Sequence, residues 1–138
     1  MKIRASEAMR RACQTLSAHY GKTAPDLTLP QLAILRDLNG TSQDLSLSQR
    51  NICEHIGMDS STLQTTIYRL VRKGYVGTAR RPECRRTSMV WLTASGLRAL
   101  HRAEKDLIAA EAAFMAKVPA ADREPFLRGL RAIAEARP

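Results

Sequence analysis

Apolar residues recur every three to four positions along most of this chain, and turn-forming residues interrupt them at regular intervals. From about 5 to 20, Met9, Ala12, Cys13, Leu16 and Tyr20 fall at helical spacing. Gly21 and Pro25 in "YGKTAPD" break that helix. In "TLPQLAILRDL", Thr28 is placed to cap a second helix, and Gln31 follows at capping-box spacing. Leu32, Leu35 and Leu38 supply its buried stripe, and Asn39–Gly40 ends it. "SQRNICEHIG" is a short helix with Ser48 as cap and Gly57 as terminator. A tight turn through Met58 leads to Asp59, a strong N-cap for "SSTLQTTIYRLVRKG", where Leu63, Ile67, Leu70 and Val71 make one apolar stripe.

The period then changes. "YVGTARR" and "RTSMVWLT" are β-prone runs joined by an arginine-rich, proline-containing tip, which predicts a hairpin. Thr93 caps a long helix over 94–117, carrying Leu97, Leu100, Leu107, Ile108, Phe114, Met115 and Val118, and Pro119 stops it. A last amphipathic helix holds Phe126, Leu127, Leu130 and Ile133. The fold expected is mainly α: two short helices joined by a glycine turn, then a β-hairpin wing, make a winged helix-turn-helix over 28–93. Further helices lie outside it at 1–20 and 94–138.

Composition narrows the partners. The 138 residues suit a single domain, and a 44% apolar content suffices for a core. A net charge of +9 favours polyanions: DNA, RNA or an anionic membrane surface. No apolar run approaches the roughly 18 residues of a membrane span, and "MKIRASEAMRRACQ" has no signal-peptide core. Three widely spaced cysteines without a C-x-x-C argue against a disulfide framework and for the reducing cytoplasm.

With Leu63 turned toward the core, the helix from 60 to 73 presents Ser61, Thr65, Tyr68 and Arg72 outward, with Thr62, Gln64 and Arg69 on its flanks. Short hydroxyls and an amide are what a major-groove reader needs, Gln suiting adenine and the Thr methyl suiting thymine. An ordinary solvated face would carry more Glu and Lys. Arg69 and Arg72 lie where phosphates would pass. Residues 59–93 hold seven basic side chains (Arg69, Arg72, Lys73, Arg80, Arg81, Arg85, Arg86) against Asp59 and Glu83. A tip so charged suits a phosphate backbone or a minor groove.

The ordered set "LTLPQLAILRDL", "LSLSQRNICEHIGMDSSTLQTTIYRLVRKGYV" and "RRTSMVWLTASG" resembles the MarR family of transcriptional regulators over nearly the whole chain. The resemblance implies a homodimer whose interface is built by the first and the last two helices. It also implies a recognition helix at 60–73 and a wing-tip arginine at Arg86. The acidic residue usual two positions before that arginine is Cys84 here, with Glu83 beside it. An effector bound between the dimer helices and the reading head would change the spacing of the two recognition helices, through differential affinity for two states.

Cys84 among arginines favours the thiolate, so oxidation there would place charge or bulk at the DNA-facing tip. An incidental surface cysteine is the plainer reading. Cys13 lies on the first helix, where thiol sensors of this family carry a cysteine, but their accompanying tyrosine is Leu29 here; a core position explains Cys13 as well. Cys53 is expected in the core. His19, His55 and His101 have no helix-spaced partner, and no metal site is expected. His19 could instead line an effector pocket. No phosphate loop, nucleophile elbow or carboxylate pair marks an enzyme.

The reading is therefore a cytoplasmic, dimeric regulator of double-stranded DNA with a pseudo-palindromic operator. It needs no cofactor and responds to a small-molecule effector, with a thiol switch at Cys84 or Cys13 as the alternative. A binder of nucleic acid without sequence preference and a protein-interaction adaptor are the rivals from other classes.

Overall fold

The computed structural model describes residues 2–23, 25–40, 46–81 and 84–136, with side chains for all of these except 46–47, 81 and 84–87. The chain forms two compact units, Pro25–Lys105 and a second made of Met1–Ala24 with Asp106–Pro138.

Within the central unit, α2 spans Leu29–Gly40, α3 Gln49–Ile56 and α4 Ser60–Arg72; α1, in the other unit, spans Ala5–Gly21. The start of α2 is a reciprocal capping box: the Gln31 N–H donates to Thr28 Oγ1 at 3.3 Å, and the Thr28 N–H donates to Gln31 Oε1 at 3.0 Å. Leu32, Leu35 and Leu38 are buried as their spacing predicts, and so is Ile34, because α3, α4 and β3 all pack against α2. Each such side chain contributes about 1.5–3 kcal/mol by leaving water. From α4 the core receives Leu63, Ile67 and Leu70.

Two apolar expectations fail here. Val71 is 39% exposed, since a stripe set by Leu63, Ile67 and Leu70 turns the next position away. Cys53 is half-buried while its neighbour Ile52 takes the core position, one residue of helix rotation from the expectation.

The sheet has three antiparallel strands in the order β1-β3-β2. Strand β2 is Val76–Arg81 and β3 is Cys84–Leu92; β1, Ser46–Ser48, is an addition that its three residues were too short to announce. It pairs Ser46 with Trp91 and Ser48 with Met89 on the edge of β3 opposite β2. β3 begins two residues earlier than its apolar alternation indicated, so Cys84 lies in the strand, paired with Arg81. The register shifts between Arg80 and Arg81.

Thr93 starts α5 (Ala94–Met115) as expected: its hydroxyl oxygen accepts from the Gly96 N–H at 3.0 Å and donates to the Gly74 carbonyl at 2.7 Å. A Cβ at position 96 would overlap the Tyr75 carbonyl oxygen, so only glycine lets the first turn of α5 pass the end of α4 this closely.

In the outer unit, the helix stops at Met115, short of Pro119, and α6 spans Arg123–Glu135. The rings of Phe114 and Phe126 lie 6.3 Å apart, joining α5 to α6. Tyr20, Leu107 and Ala110 are buried, but Cys13 is exposed rather than part of a core stripe. Ile108, Leu130 and Ile133, all in apolar register, are 66%, 43% and 68% exposed.

Candidate nucleic-acid interface

The site is assembled from α3, a three-residue corner (Gly57, Met58 and Asp59) and α4. Ser48 Oγ accepts from the Asn51 N–H and starts α3. Gly57 ends it in the left-handed region (φ 68°), with its N–H donating to the Cys53 carbonyl at 2.9 Å. Two residues later Asp59 caps α4, accepting from the Thr62 N–H at 2.8 Å and from the Thr62 hydroxyl at 2.7 Å. These donors, the backbone N–H first and the hydroxyl second, hold the Asp59 carboxyl below its usual range. It is a carboxylate at neutral pH.

Core packing of Leu63, Ile67 and Leu70 leaves Ser61, Thr62, Gln64, Thr65, Tyr68, Arg69 and Arg72 on the exposed surface of α4, so the structure brings these residues together on one element. Three of the hydroxyls are already donating. Besides Thr62, Thr65 Oγ1 donates to the Ser61 carbonyl at 3.2 Å, and Thr66 Oγ1 to the Thr62 carbonyl at 2.8 Å.

Toward the C-terminal end of α4 the chemistry changes to cationic. The Arg72 guanidinium lies 5.8 Å from the Tyr68 ring centroid, and its Nη1 donates to the phenol oxygen at 3.4 Å. Arg69, Arg72 and Lys73, with Gln31, Thr65 and Tyr68, line a recess of about 650 Å³, and among the described residues no carboxylate lines it. Among the described residues neither Arg69 nor Arg72 forms an ion pair. Lys73 is committed instead: it pairs with Asp26 Oδ1 at 3.5 Å, donates to the Asp26 carbonyl, and reaches Gln31 Oε1 at 3.3 Å.

Arg80 is exposed on β2. The side chains of Arg81, Cys84, Arg85 and Arg86 lie outside the described residues, as do Pro82 and Glu83.

Two polar clusters were not legible in the sequence. Tyr75 donates its hydroxyl to Asp26, which stands 49 positions away. His55 on α3 places Nδ1 at 3.0 and 3.1 Å from the two carboxylate oxygens of Asp37 on α2. No local spacing signals either pair. His19 belongs to the outer unit, and partial burial, followed by the charges of Lys22 and Lys117, lowers its pKa. Among the described residues no group of three or more His, Cys, Asp or Glu side chains could hold a metal ion, and no described helix is long and apolar enough to cross a membrane.

A capped helix standing on a glycine corner, its outer face given to hydrogen-bonding and cationic groups beside a three-stranded wing, defines a winged helix-turn-helix. The winged helix DNA-binding domain family matches residues 27–96, half of the chain, and the chain belongs to that family. It is a DNA-binding transcriptional regulator of the MarR type, as its sequence resemblance implied. The transcriptional regulator HosA of Escherichia coli O111:H- is 25% identical over 131 residues, 95% of each chain. Among solved structures, the PcaV transcriptional regulator of Streptomyces coelicolor, in complex with its natural ligand, is 28% identical with a TM-score of 0.82 over 99% of both chains. Bordetella bronchiseptica BpsR, whose DNA binding is regulated by 6-hydroxynicotinic acid, has a TM-score of 0.84 at 22% identity, covering 97% of this chain and 95% of its own. A thiol switch at Cys84 or Cys13, the alternative drawn from the sequence, is not favoured.

Proposed function

We propose that the protein is a cytoplasmic homodimer that recognises a pseudo-palindromic operator and acts as a repressor released by a small-molecule effector, and that it is not an enzyme. The observation carrying this reading is the division of α4: Leu63, Ile67 and Leu70 anchor it in the core, while its outer surface is hydroxyl and amide at the N-terminal end and guanidinium at the C-terminal end. Ser61, Thr62, Gln64 and Thr65 read base edges. Tyr68, Arg69, Arg72 and the wing arginines Arg80, Arg81, Arg85 and Arg86 hold phosphate or minor groove.

Residues 28–93 form the reading head, and 1–20 with 94–138 the dimerisation helices. Exposure of Ile108, Leu130 and Ile133, together with Ile3 and Met9, supports a self-associating outer unit, since a soluble monomer rarely leaves so many large apolar side chains in water. The effector belongs to the chemical class of small organic anions, as 6-hydroxynicotinic acid does for BpsR.

Selection of bound duplexes from a random-sequence pool, with reduced protein near physiological salt, tests the reading. It expects a palindrome with half-sites about 10 bp apart, one helical turn. Uniform affinity for all duplexes with a steep salt slope would make the protein a non-specific binder. No affinity at low salt would make it an adaptor.

A further inference from the structure

The hydrogen bonds inside α4 decide which base edges its first two turns can address. The Asp59 carboxylate has only acceptors, so the Thr62 hydroxyl, 2.7 Å from it, must be the donor. Thr65 faces the Ser61 carbonyl, likewise an acceptor only, and spends its proton there. Both threonines are exposed. What they present outward is a γ-methyl group and hydroxyl lone pairs.

From Ser60 to Tyr68 the helix has no Lys or Arg. Guanine shows two acceptors, N7 and O6, to the major groove, and its common reader is the bidentate fork of a cation. Adenine shows one acceptor and one donor, which an amide such as Gln64 matches, and thymine shows a methyl. The negative charge of Asp59 at the tip of the helix further disfavours an acceptor-only edge.

Resting on the operator-reading function proposed above, we infer that the first two turns of α4 address A·T pairs, with Gln64 on adenine and the Thr62 and Thr65 methyls on thymine, and that guanine is not read there. Thr62 and Thr65 act as methyl and acceptor groups only.

The test uses the full-length dimer and the half-site enriched by selection. Replacing each thymine by uracil removes only its methyl. Wild-type protein is expected to lose about five-fold or more in affinity at one or more thymines of each half-site. Thr65→Ser, which keeps the hydroxyl and removes the methyl, should bind thymine and uracil alike at the base it faces. Thr65→Val, which keeps the methyl and removes the hydroxyl, should retain the discrimination. Melting temperature and affinity for an unrelated duplex monitor folding of both variants. Indifference of the wild type to every thymine-to-uracil change overturns the inference while leaving operator reading intact. So does a thymine preference that survives in Thr65→Ser and disappears in Thr65→Val. Failure to enrich any sequence overturns the operator-reading function itself, and the inference with it.

Discussion

The side-chain oxygen of Gln31, in the first turn of α2, accepts a hydrogen bond from Lys73 Nζ at the C-terminal cap of α4, 3.3 Å away. The same oxygen accepts from the Thr28 N–H at 3.0 Å, so one buried amide both caps α2 and fixes the far end of the reading helix. Lys73 also places a cation at the negative end of the α4 dipole. Gln31→Ala would leave the Thr28 N–H without its partner in a part-buried setting and is expected to cost about 1 kcal/mol. Gln64→Ala, at an exposed position, should change stability by less than about 0.5 kcal/mol. Urea denaturation of the two variants measures the contrast, and equal losses would remove Gln31 from this role.

The junction of β3 and α5 is a second point of close fit. Gly96→Ala drives a methyl into the Tyr75 carbonyl oxygen, and Leu92 Cδ1 stands 2.8 Å from the same position. Backbone must move to admit it, and a loss of about 1–3 kcal/mol is expected. Thr93→Ala removes the cap of α5 and should cost about 1 kcal/mol. Thermal denaturation should rank Gly96→Ala as the more damaging; a neutral result would mean that α5 starts elsewhere.

Stability should depend on pH through Asp26 and Tyr75. The Tyr75 hydroxyl lowers the Asp26 pKa from its ordinary 3.8 and outweighs the opposing effect of burial, with the charge of Lys73 adding a further lowering. A lowered acid contributes stability above its unfolded pKa and loses it as pH falls through the folded value. Tyr75 is raised from 10.0, chiefly by the same hydrogen bond, so its contribution is full below pH 10.0 and is lost as pH rises through the folded value. The stability difference between wild type and Asp26→Asn should therefore be constant near neutrality and shrink below pH 3.8. Parallel curves down to the acid limit would show that Asp26 is not coupled to folding.

Phosphate and base contacts should separate in binding experiments. Arg69→Ala and Arg72→Ala are expected to weaken every duplex alike, each reducing the log–log salt slope by about 0.9 per phosphate released. Gln64→Ala is expected to change the preferred sequence, with a cost of about 1–3 kcal/mol confined to the cognate site. An altered sequence preference in Arg72→Ala, with an unchanged salt slope, would place that side chain on a base.

Self-association should reside in the outer unit. Ile133→Glu, at a position 68% exposed, is expected to leave the monomer folded and shift the sedimentation profile from dimer to monomer at micromolar protein. Operator affinity should fall with it, because a lone reading head contacts one half-site. An unchanged dimer would move the interface off α6.

Local physics made much of this protein readable in advance. Ser48, Gly57, Asp59 and Thr93 act as caps and terminator because each satisfies backbone groups within three or four residues. The alternation of Leu63, Ile67 and Leu70 with Ser61, Thr65 and Tyr68 likewise sets which side of α4 is buried. Where packing chooses between neighbours, the sequence was silent or misleading. Ile52 rather than Cys53 enters the core, Val71 is left in water, and β1 exists only because β3 offers it an edge. Long-range polar pairs were decided by the tertiary structure alone: Gln31 with Lys73, Asp26 with Tyr75, and Asp37 with His55 stand 42, 49 and 18 positions apart. Caps and stripes repeat with the period of the helix and can be read along the chain. Contacts between elements depend on how those helices dock, and no periodicity encodes that.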